Sequence, residues 1–487
     1  MHINRSIFGG LAAISSLVAC SPSQKQPGES TKPNIIYILA DDLGYGDLGC
    51  YDQQKIKTPN IDKLAAQGML FTQHYAGTAV CAPSRSSLLT GQDTGHTPIR
   101  GNMHVDPEGQ APLPASSFTI AKMLQQAGYT TGGFGKWGLG FITSEGDPNK
   151  QGFDEFYGYN SQTLAHNYYP GHLWDNHDKI VLTGNTGDQY KQYSADMIQK
   201  RVLKFVEDNK DHPFFIYYAT TIPHAELVVP EDKMADFQGK FPPEHPYEGA
   251  EPGDKKFRLG AYGSQPEPHA AFAAMVTLLD QQVGELMAKL KELDLDKNTL
   301  VVFSSDNGPH LEGGADPDYF DSNGPLKGYK RDLYEGGIRE PMIAWWPGEI
   351  KEGSRTDLIS AFWDVMPTFA DLVGAPTPDS IQGISFLPTL LGKEGQKEHD
   401  HMYWEFHEYD GRQAIRKGNW KYVSYNVLDP EKKTVELYDL STDIGEENNV
   451  ANLHPDIVEE MQNILKDART PSELFPFGEQ KEAVAAH

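Results

Sequence analysis

Two pairs of polar residues follow short apolar runs that lie far apart in the chain. Asp41 and Asp42 follow "NIIYILA", and Asp306 and Asn307 follow "TLVVFSS". Both runs are typical of buried parallel strands, and open α/β sheets gather ligands at the carboxyl ends of their strands. Three carboxylates and one amide oxygen would suit a hard cation such as Ca²⁺ better than zinc. Taken singly, each pair could be a helix cap or a turn, but their matching positions favour a metal site.

Cys81 is the second candidate for chemistry, and it lies in the stretch "CAPSRSSLLTG". Arg85 follows four residues later, about one helical turn on if this segment opens a helix. The chain contains 3 cysteines, too few for a disulfide framework. A single disulfide between Cys50 and Cys81, or burial of Cys81 as a small apolar side chain, is the alternative to a chemical role.

The remaining patterns predict the elements that must position these residues. Helical patterns such as "TPNIDKLAAQGMLF" alternate with strand patterns such as "PFFIYYATTIPH". This alternation predicts an α/β fold with a doubly wound, mostly parallel sheet and helices on both faces. Towards the C-terminus, "YWEFHEYDGRQAIRKGNWK" and "TVELYDL" predict a smaller antiparallel sheet. We expect a main catalytic domain over residues 33–384 and a C-terminal subdomain over residues 385–487.

The overall charge limits the classes of partner. Lys and Arg number 42 and Asp and Glu number 68, a net charge of −26. Such a surface repels nucleic acid and anionic membranes, so neither is expected as a partner. An anionic substrate would need a local cationic pocket to overcome this field.

The first 20 residues, "MHINRSIFGGLAAISSLVAC", have a basic start, an apolar stretch too short to span a bilayer, and small residues before Cys20. "LVAC" resembles the end of a bacterial lipoprotein signal, whose cysteine is lipidated after cleavage. We expect a membrane anchor only at Cys20, a tether over residues 21–32, and export to the bacterial cell envelope as a periplasmic or outer-membrane lipoprotein. An ordinary secretory signal with an unmodified cysteine is the alternative.

Several motifs follow one another along the chain in this order: "DDLGYGDLGCY", "TPNIDKLAAQG", "CAPSR", "GKWGLG", "DNGPH", "YEGGIREP", "DVMPT" and "LYDLSTDIGEENNVA". With them the chain resembles the formylglycine-dependent sulfatases of the alkaline-phosphatase-like superfamily over roughly residues 33 to 460. The resemblance implies that fold, hydrolysis of sulfate esters, and oxidation of Cys81 to formylglycine by a maturation enzyme. One hydroxyl of the aldehyde hydrate would attack sulfur, and the second would later expel sulfate.

The resemblance also implies roles for individual residues. Arg85 would hydrogen-bond the hydrate, and Lys136 and Lys330 would bind the sulfate. His224 would lie near the leaving oxygen and would be, with Lys330, the candidate general acid. Without the motifs, Arg85 and Lys330 would be interpreted as ion-pair residues and His224 as a loop histidine. The calcium ligands implied by the resemblance are Asp41, Asp42, Asp306, Asn307 and the modified residue 81, with Asp306 also helping to activate the nucleophile.

The motif "GKWGLG" departs from the G-K-W-H-x-G of many sulfatases, because Gly138 stands where those proteins have a histidine that contacts the hydrate. Losing such a contact would cost on the order of 3 kcal/mol, about a hundredfold in rate. We therefore expect another polar group to fill the gap, with His104 and His166 as candidates.

Less regular segments are expected to build the substrate pocket. Trp404 could stack on a sugar ring, but packing between the small sheet and the main domain explains it equally well. The "KWGLG" departure and "TGHTPIRGN" resemble a bacterial branch acting on 4-O-sulfated galactose or N-acetylgalactosamine, so the expected partner is a sulfated glycan. The candidate substrate-binding residues are Arg100, His166, His172, Glu405 and His407.

Two other functions fit parts of the sequence. A phosphate or phosphonate ester hydrolase of the same superfamily could use a similar nucleophile, but its two-zinc members would need histidines where this chain has Asp306 and Asn307. A non-catalytic glycan-binding lipoprotein could retain the fold. The intact "CAPSR" and the four oxygen donors argue against it.

Overall fold

The computed structural model describes residues 1–2 and 32–477 of the chain. Contacts divide the chain into two compact units, residues 1–31 and residues 32–487, and the elements described below belong to the second. Cys20 and most of the predicted signal and tether lie outside the described residues. Within the described part, no helix is both long and apolar enough to cross a membrane.

An 11-stranded sheet forms the centre of the second unit. Its middle strands β10, β1, β9, β5 and β6 are parallel neighbours in that order, and antiparallel strands extend the sheet on both sides. This confirms the predicted α/β fold with a mostly parallel sheet. The sheet order is β12-β2-β11-β10-β1-β9-β5-β6-β7-β8, with β13 paired to β2; the strands are β1 (Asn34–Ala40), β2 (Met69–Tyr75), β5 (Thr130–Lys136), β6 (Glu155–Tyr159), β7 (His172–Asp175), β8 (Asp178–Val181), β9 (Phe214–Ala219), β10 (Thr299–Ser305), β11 (Arg339–Trp345), β12 (Ser354–Thr356) and β13 (Ser360–Ala361).

Alternating side chains of β1 pack into different hydrophobic cores on the two faces of the sheet. Ile36 and Ile38 belong to one core, whereas Ile35 and Tyr37 belong to the other. A fully buried strand of this kind needs helices on both faces. The helices are α1 (Pro59–Ala66), α2 (Cys81–Thr90), α3 (Ile120–Gln126), α4 (Ser194–Asp208), α5 (Glu231–Met234), α6 (Pro268–Glu292), α7 (Pro317–Phe320), α8 (Glu335–Ile338), α9 (Val365–Val373), α10 (Leu387–Leu390) and α11 (Pro455–Asp467).

Two small antiparallel sheets complete the described chain. One pairs β3 (His104–Val105) with β4 (Gly109–Gln110). The other has four strands in the order β14 (Met402–Phe406), β15 (Arg412–Lys417), β16 (Trp420–Tyr425) and β17 (Thr434–Asp439). Trp404 of β14 is buried and its indole donates to the Ala76 carbonyl at 3.0 Å, so it packs this sheet against the main domain. The domain boundary at residue 385 stays a prediction.

Candidate active site

The ends of β1 and β10 bring the two polar pairs side by side. The strands run parallel, with Ala40 opposite Ser305, and the Asp306 amide donates to the Ala40 carbonyl at 3.1 Å. The Asp42 amide in turn donates to Asp306 Oδ1 at 3.1 Å. Three carboxyl side chains thus lie in one fully buried cluster, as the apolar strands that precede them require.

Cys81 is the first residue of α2, and this placement aims its side chain at the strand ends. Its Sγ lies 3.6 Å from Asp41 Oδ1 and 3.9 Å from Asp42 Oδ1. Cys50 and Cys81 are both free thiols, so the alternative of a disulfide between them is wrong. Burial raises the pKa of the Cys81 thiol, despite the nearby Lys136 ammonium. An unmodified Cys81 would therefore be a poor thiolate nucleophile.

Three cations surround the carboxylates. Arg85, one turn after Cys81 on α2, donates to Asp306 Oδ2 from Nε at 2.9 Å and from a terminal nitrogen at 2.7 Å. Lys136, the last residue of β5, contacts both Asp41 oxygens at 2.8 and 3.0 Å. Lys330 donates to Asp42 Oδ2 at 2.7 Å. The three positive charges balance the three carboxylates in a buried region, so removing any one of them would leave a buried charge without its partner.

His224 and Lys330 form a hydrogen-bonded pair beside Asp42. His224 Nδ1 faces the Ala225 carbonyl, which can only accept, so we assign the ring hydrogen to Nδ1 and leave a lone pair on Nε2. The Lys330 ammonium lies 3.2 Å from that Nε2. Burial lowers the pKa of His224, and the nearby Lys330 adds to this effect, although Asp42 opposes it. Burial also opposes the charge on Lys330, but Asp42 and Glu312, together with other neighbouring groups, outweigh it and raise the pKa of Lys330. Lys330 therefore holds the proton that either residue could deliver.

The carboxylate oxygens of the site fit a hard cation, and a thiol and an imidazole lie among them. Ligand atoms of Asp41, Asp42, Cys81 and His224 all lie within 4.8 Å of one another. Asn307 donates from its amide nitrogen to Asp42 Oδ1 at 2.7 Å, and its Oδ1 is buried without a hydrogen-bond partner among the described residues. A buried amide oxygen without a partner, on a side chain that contacts Asp42, has the chemistry of a calcium ligand.

Gly138 lies two residues beyond the end of β5 and has a left-handed backbone, with φ +72°. A Cβ atom built on it would lie 2.8 Å from both Cγ and Nε2 of Gln162. The atoms nearest to this position therefore belong to Gln162, and not to His104 or His166, the two residues expected there. His104 is instead exposed on β3, with Nε2 3.2 Å from Asp106.

His166 and His172, two of the expected substrate-binding residues, lie in different surroundings. The His166 ring stacks on His224, with centroids 5.0 Å apart, and its Nδ1 is 2.9 Å from the Gly260 carbonyl. His172 begins β7 and pairs with Glu108 at 2.8 Å. His166 thus borders the buried cluster through His224, and contact of either residue with a sugar stays a prediction.

The other three expected substrate-binding residues form a separate cluster near the C-terminal end of the described chain. Glu405 is buried and accepts from Arg469 at 2.8 Å and from His407 at 2.9 Å. Arg100 donates to the Thr470 carbonyl at 2.8 Å and lies 3.7 Å from Glu405. These contacts give the three side chains a structural role, and their contact with substrate stays a prediction.

Several residues at the site were not singled out from the sequence. His310 stacks on His224 at 5.6 Å, and Tyr262 lies beside both His166 and His224. Glu312 lies 3.5 Å from His310 and pairs with Arg331. His310 could have been found from the sequence because it belongs to the "DNGPH" motif. Tyr262 could not, because it lies in an irregular loop without a recognisable motif.

The fold and the buried cluster define a hydrolase of the alkaline-phosphatase-like class. Residues 33–375 match the family model described as Sulfatase, and residues 328–471 match the one described as N-sulphoglucosamine sulphohydrolase, C-terminal. The chain therefore belongs to the sulfatase family and is a sulfuric ester hydrolase.

Named relatives cover most of the chain. An N-acetylgalactosamine-6-O-sulfatase of Bacteroides thetaiotaomicron is 30% identical over 94% of this chain and 98% of its own length. Human arylsulfatase A is 32% identical over 89% and 87%. The crystal structure of Ps i-CgsB in complex with k-i-k-neocarrahexaose superimposes with a TM-score of 0.74 at 31% identity, covering 93% of this chain and 96% of that one.

Proposed function

We propose that this enzyme hydrolyses sulfate esters on galactose or N-acetylgalactosamine units of glycans, with a formylglycine made from Cys81 and one Ca²⁺. The observation that carries the proposal is the position of Cys81, with Sγ 3.6 Å from Asp41 in a buried cluster of three carboxylates and three cations. The carboxylates suit the metal, and the cations suit a sulfate anion.

The chain's own residues supply the rest of the chemistry. When present, the formylglycine hydrate supplies the attacking hydroxyl and Ca²⁺ adds positive charge at the sulfate oxygens. The metal would be held by Asp41, Asp42, Asp306 and the Asn307 oxygen. Because these carboxylates would then be neutralised by the metal, the positive charges of Lys136 and Lys330 would be available to the sulfate. The Lys330 ammonium, hydrogen-bonded to His224, would donate a proton to the departing sugar alcohol. Arg85 holds Asp306 in place through two hydrogen bonds.

The chemistry can be tested with protein that has been co-expressed with a maturation enzyme. We expect the mass of the tryptic peptide that contains residue 81 to correspond to formylglycine, and an aryl sulfate to be hydrolysed faster than an aryl phosphate in the presence of calcium. The Cys81→Ala variant should be inactive. Faster turnover of the phosphate, or full activity with an unmodified cysteine, would contradict the proposal.

The position of the sulfate can be tested with 4-O- and 6-O-sulfated galactose, N-acetylgalactosamine and glucosamine. The sequence motifs favour the 4-O-sulfated galacto sugars. The relative that is named an N-acetylgalactosamine-6-O-sulfatase makes the 6-O position the second candidate. A preference for glucosamine sulfates would rule out both.

We further propose that the enzyme works in a bacterial cell envelope, anchored by a lipid on Cys20. This location is supported by the residues before Cys20, which have a basic start, then an apolar stretch, then small residues. Metabolic labelling with a fatty acid should mark the full-length protein and not a Cys20→Ser variant. Equal labelling of both proteins would contradict the anchor.

A further inference from the structure

We propose that the Gln162 carboxamide replaces the histidine that is missing at Gly138 and positions the nucleophile at residue 81. This inference rests on the proposed function. A Cβ atom on Gly138 would lie 2.8 Å from Gln162 Cγ and 2.8 Å from Gln162 Nε2. The Gln162 side chain therefore takes the space into which a side chain at position 138 would extend.

The backbone links this position to the catalytic cluster. β5 and β6 are parallel, with Lys136 opposite Tyr159, and the Gly138 amide donates to the Asn160 carbonyl at 3.1 Å. Lys136 reaches Asp41 at 2.8 Å, and Asp41 lies 3.6 Å from Cys81 Sγ. Gln162 thus follows β6, the strand paired with β5, and its carboxamide lies against Gly138, two residues after Lys136.

The Gln162 amide nitrogen makes no hydrogen bond within the described part of the chain. Gln162 as a residue is only 5% exposed, so this nitrogen is shielded from solvent. A buried N–H group without a partner is costly, and proteins retain few of them. A hydroxyl of the formylglycine hydrate or a sulfate oxygen would satisfy it.

An amide and an imidazole differ in one respect that matters for the reaction. A carboxamide can donate and accept hydrogen bonds, but it cannot take up a proton near neutral pH as an imidazole can. Gln162 is therefore a positioning residue, and a proton released at residue 81 must go to another group or to water.

The test uses Gln162→Met, which keeps the length of the side chain and removes its polar end. We expect the melting temperature to stay the same or rise, because the Gln162 amide nitrogen has no hydrogen bond to lose among the residues that the structure describes. We expect kcat to fall about tenfold to a hundredfold while KM changes little. The aldehyde of the matured variant should also react several times faster with a hydrazide probe, because a contact that stabilises its hydrate is gone.

Gln53→Met is the matched control. Gln53 is 6% exposed, and both ends of its amide are bonded, Nε2 to the carbonyls of Gly46 and Phe320 and Oε1 to the Lys55 amide. This variant should lose thermal stability and keep the wild-type rate of probe reaction. The contrast between the two variants separates a functional amide from a structural one.

Three results would overturn the inference. A lower melting temperature for Gln162→Met would show that the amide supports the fold, and an unchanged kcat or an unchanged rate of aldehyde reaction would show that it does not act at residue 81. If the matured wild-type enzyme turned over no glycan sulfate, the proposed function would fail separately. The probe reaction would still test Gln162 in that case.

Discussion

Replacing Arg85 with lysine tests how far the cluster depends on hydrogen-bond geometry beyond charge. Arg85 is fully buried, donates twice to Asp306 and once to the Lys136 carbonyl at 2.8 Å, and lies 3.4 Å from Asp41. A lysine keeps the positive charge but has no planar fork, so it cannot reproduce this set of contacts.

The loss can be estimated from these contacts. If Arg85→Lys forfeits two charge-assisted hydrogen bonds of about 1.5–3 kcal/mol each, the cost is about 3–6 kcal/mol before water or the lysine ammonium replaces part of it. We expect the free energy of unfolding to fall by about 3 kcal/mol. We expect kcat/KM to fall at least about a hundredfold, because Asp306 loses its orientation.

Denaturant unfolding and steady-state kinetics on matured protein would measure both quantities. Arg201→Lys is the matched control, because Arg201 is partly exposed and also pairs with two carboxylates, Glu155 at 2.5 Å and Asp175 at 3.0 Å. Exposed pairs contribute little, so this variant should lose less than about 1 kcal/mol. If Arg85→Lys behaved like Arg201→Lys in both assays, the reasoning would be refuted.

Three further results are expected. Burial lowers the pKa of His74 to about 3, whereas a histidine in the unfolded chain has a pKa near 6.5. The unfolded chain therefore takes up a proton first as the pH falls below about 6.5, and the free energy of unfolding decreases by about 2 kcal/mol between pH 6.5 and pH 5. His74→Phe should flatten this pH dependence in denaturant titrations. Lys421 donates to Glu335 at 2.7 Å with both side chains fully buried, and Arg339 lies 3.3 Å from the same carboxylate. Because Glu335 keeps that partner, Lys421→Met should destabilise by no more than about 3 kcal/mol, and the double variant with Glu335→Gln should recover part of this loss in unfolding measurements. Calcium binding should raise the melting temperature of the wild type and not of Asp42→Asn, and an equal shift in both proteins would count against the proposed ligands.

The sequence predicted those parts of the site that depend on local pattern. Buried β-branched runs that end in Asp41 and Asp306 imply neighbouring strand ends, and the four-residue spacing of Cys81 and Arg85 suits the helix that carries them. Both inferences rest on periodicity and short spacing, which the backbone dictates. The mostly parallel sheet followed from the same patterns.

Contacts between distant loops could not be predicted in this way. The "GKWGLG" departure indicated a gap, but only the three-dimensional path of the chain after β6 brings Gln162 to it. The Glu405 carboxylate is a group that could accept hydrogen bonds from sugar hydroxyls, yet it is bound in a buried cluster by Arg469, 64 residues later. Local spacing carries no information about such pairs, because loop packing decides them.

The most direct test of the central claim is a high-resolution crystal structure of the matured enzyme grown with calcium. We predict one cation bound by Asp41, Asp42, Asp306 and the Asn307 oxygen, next to an oxidised side chain at residue 81. An unmodified thiol at residue 81 in fully active crystals, or a cation bound away from these oxygens, would contradict the account.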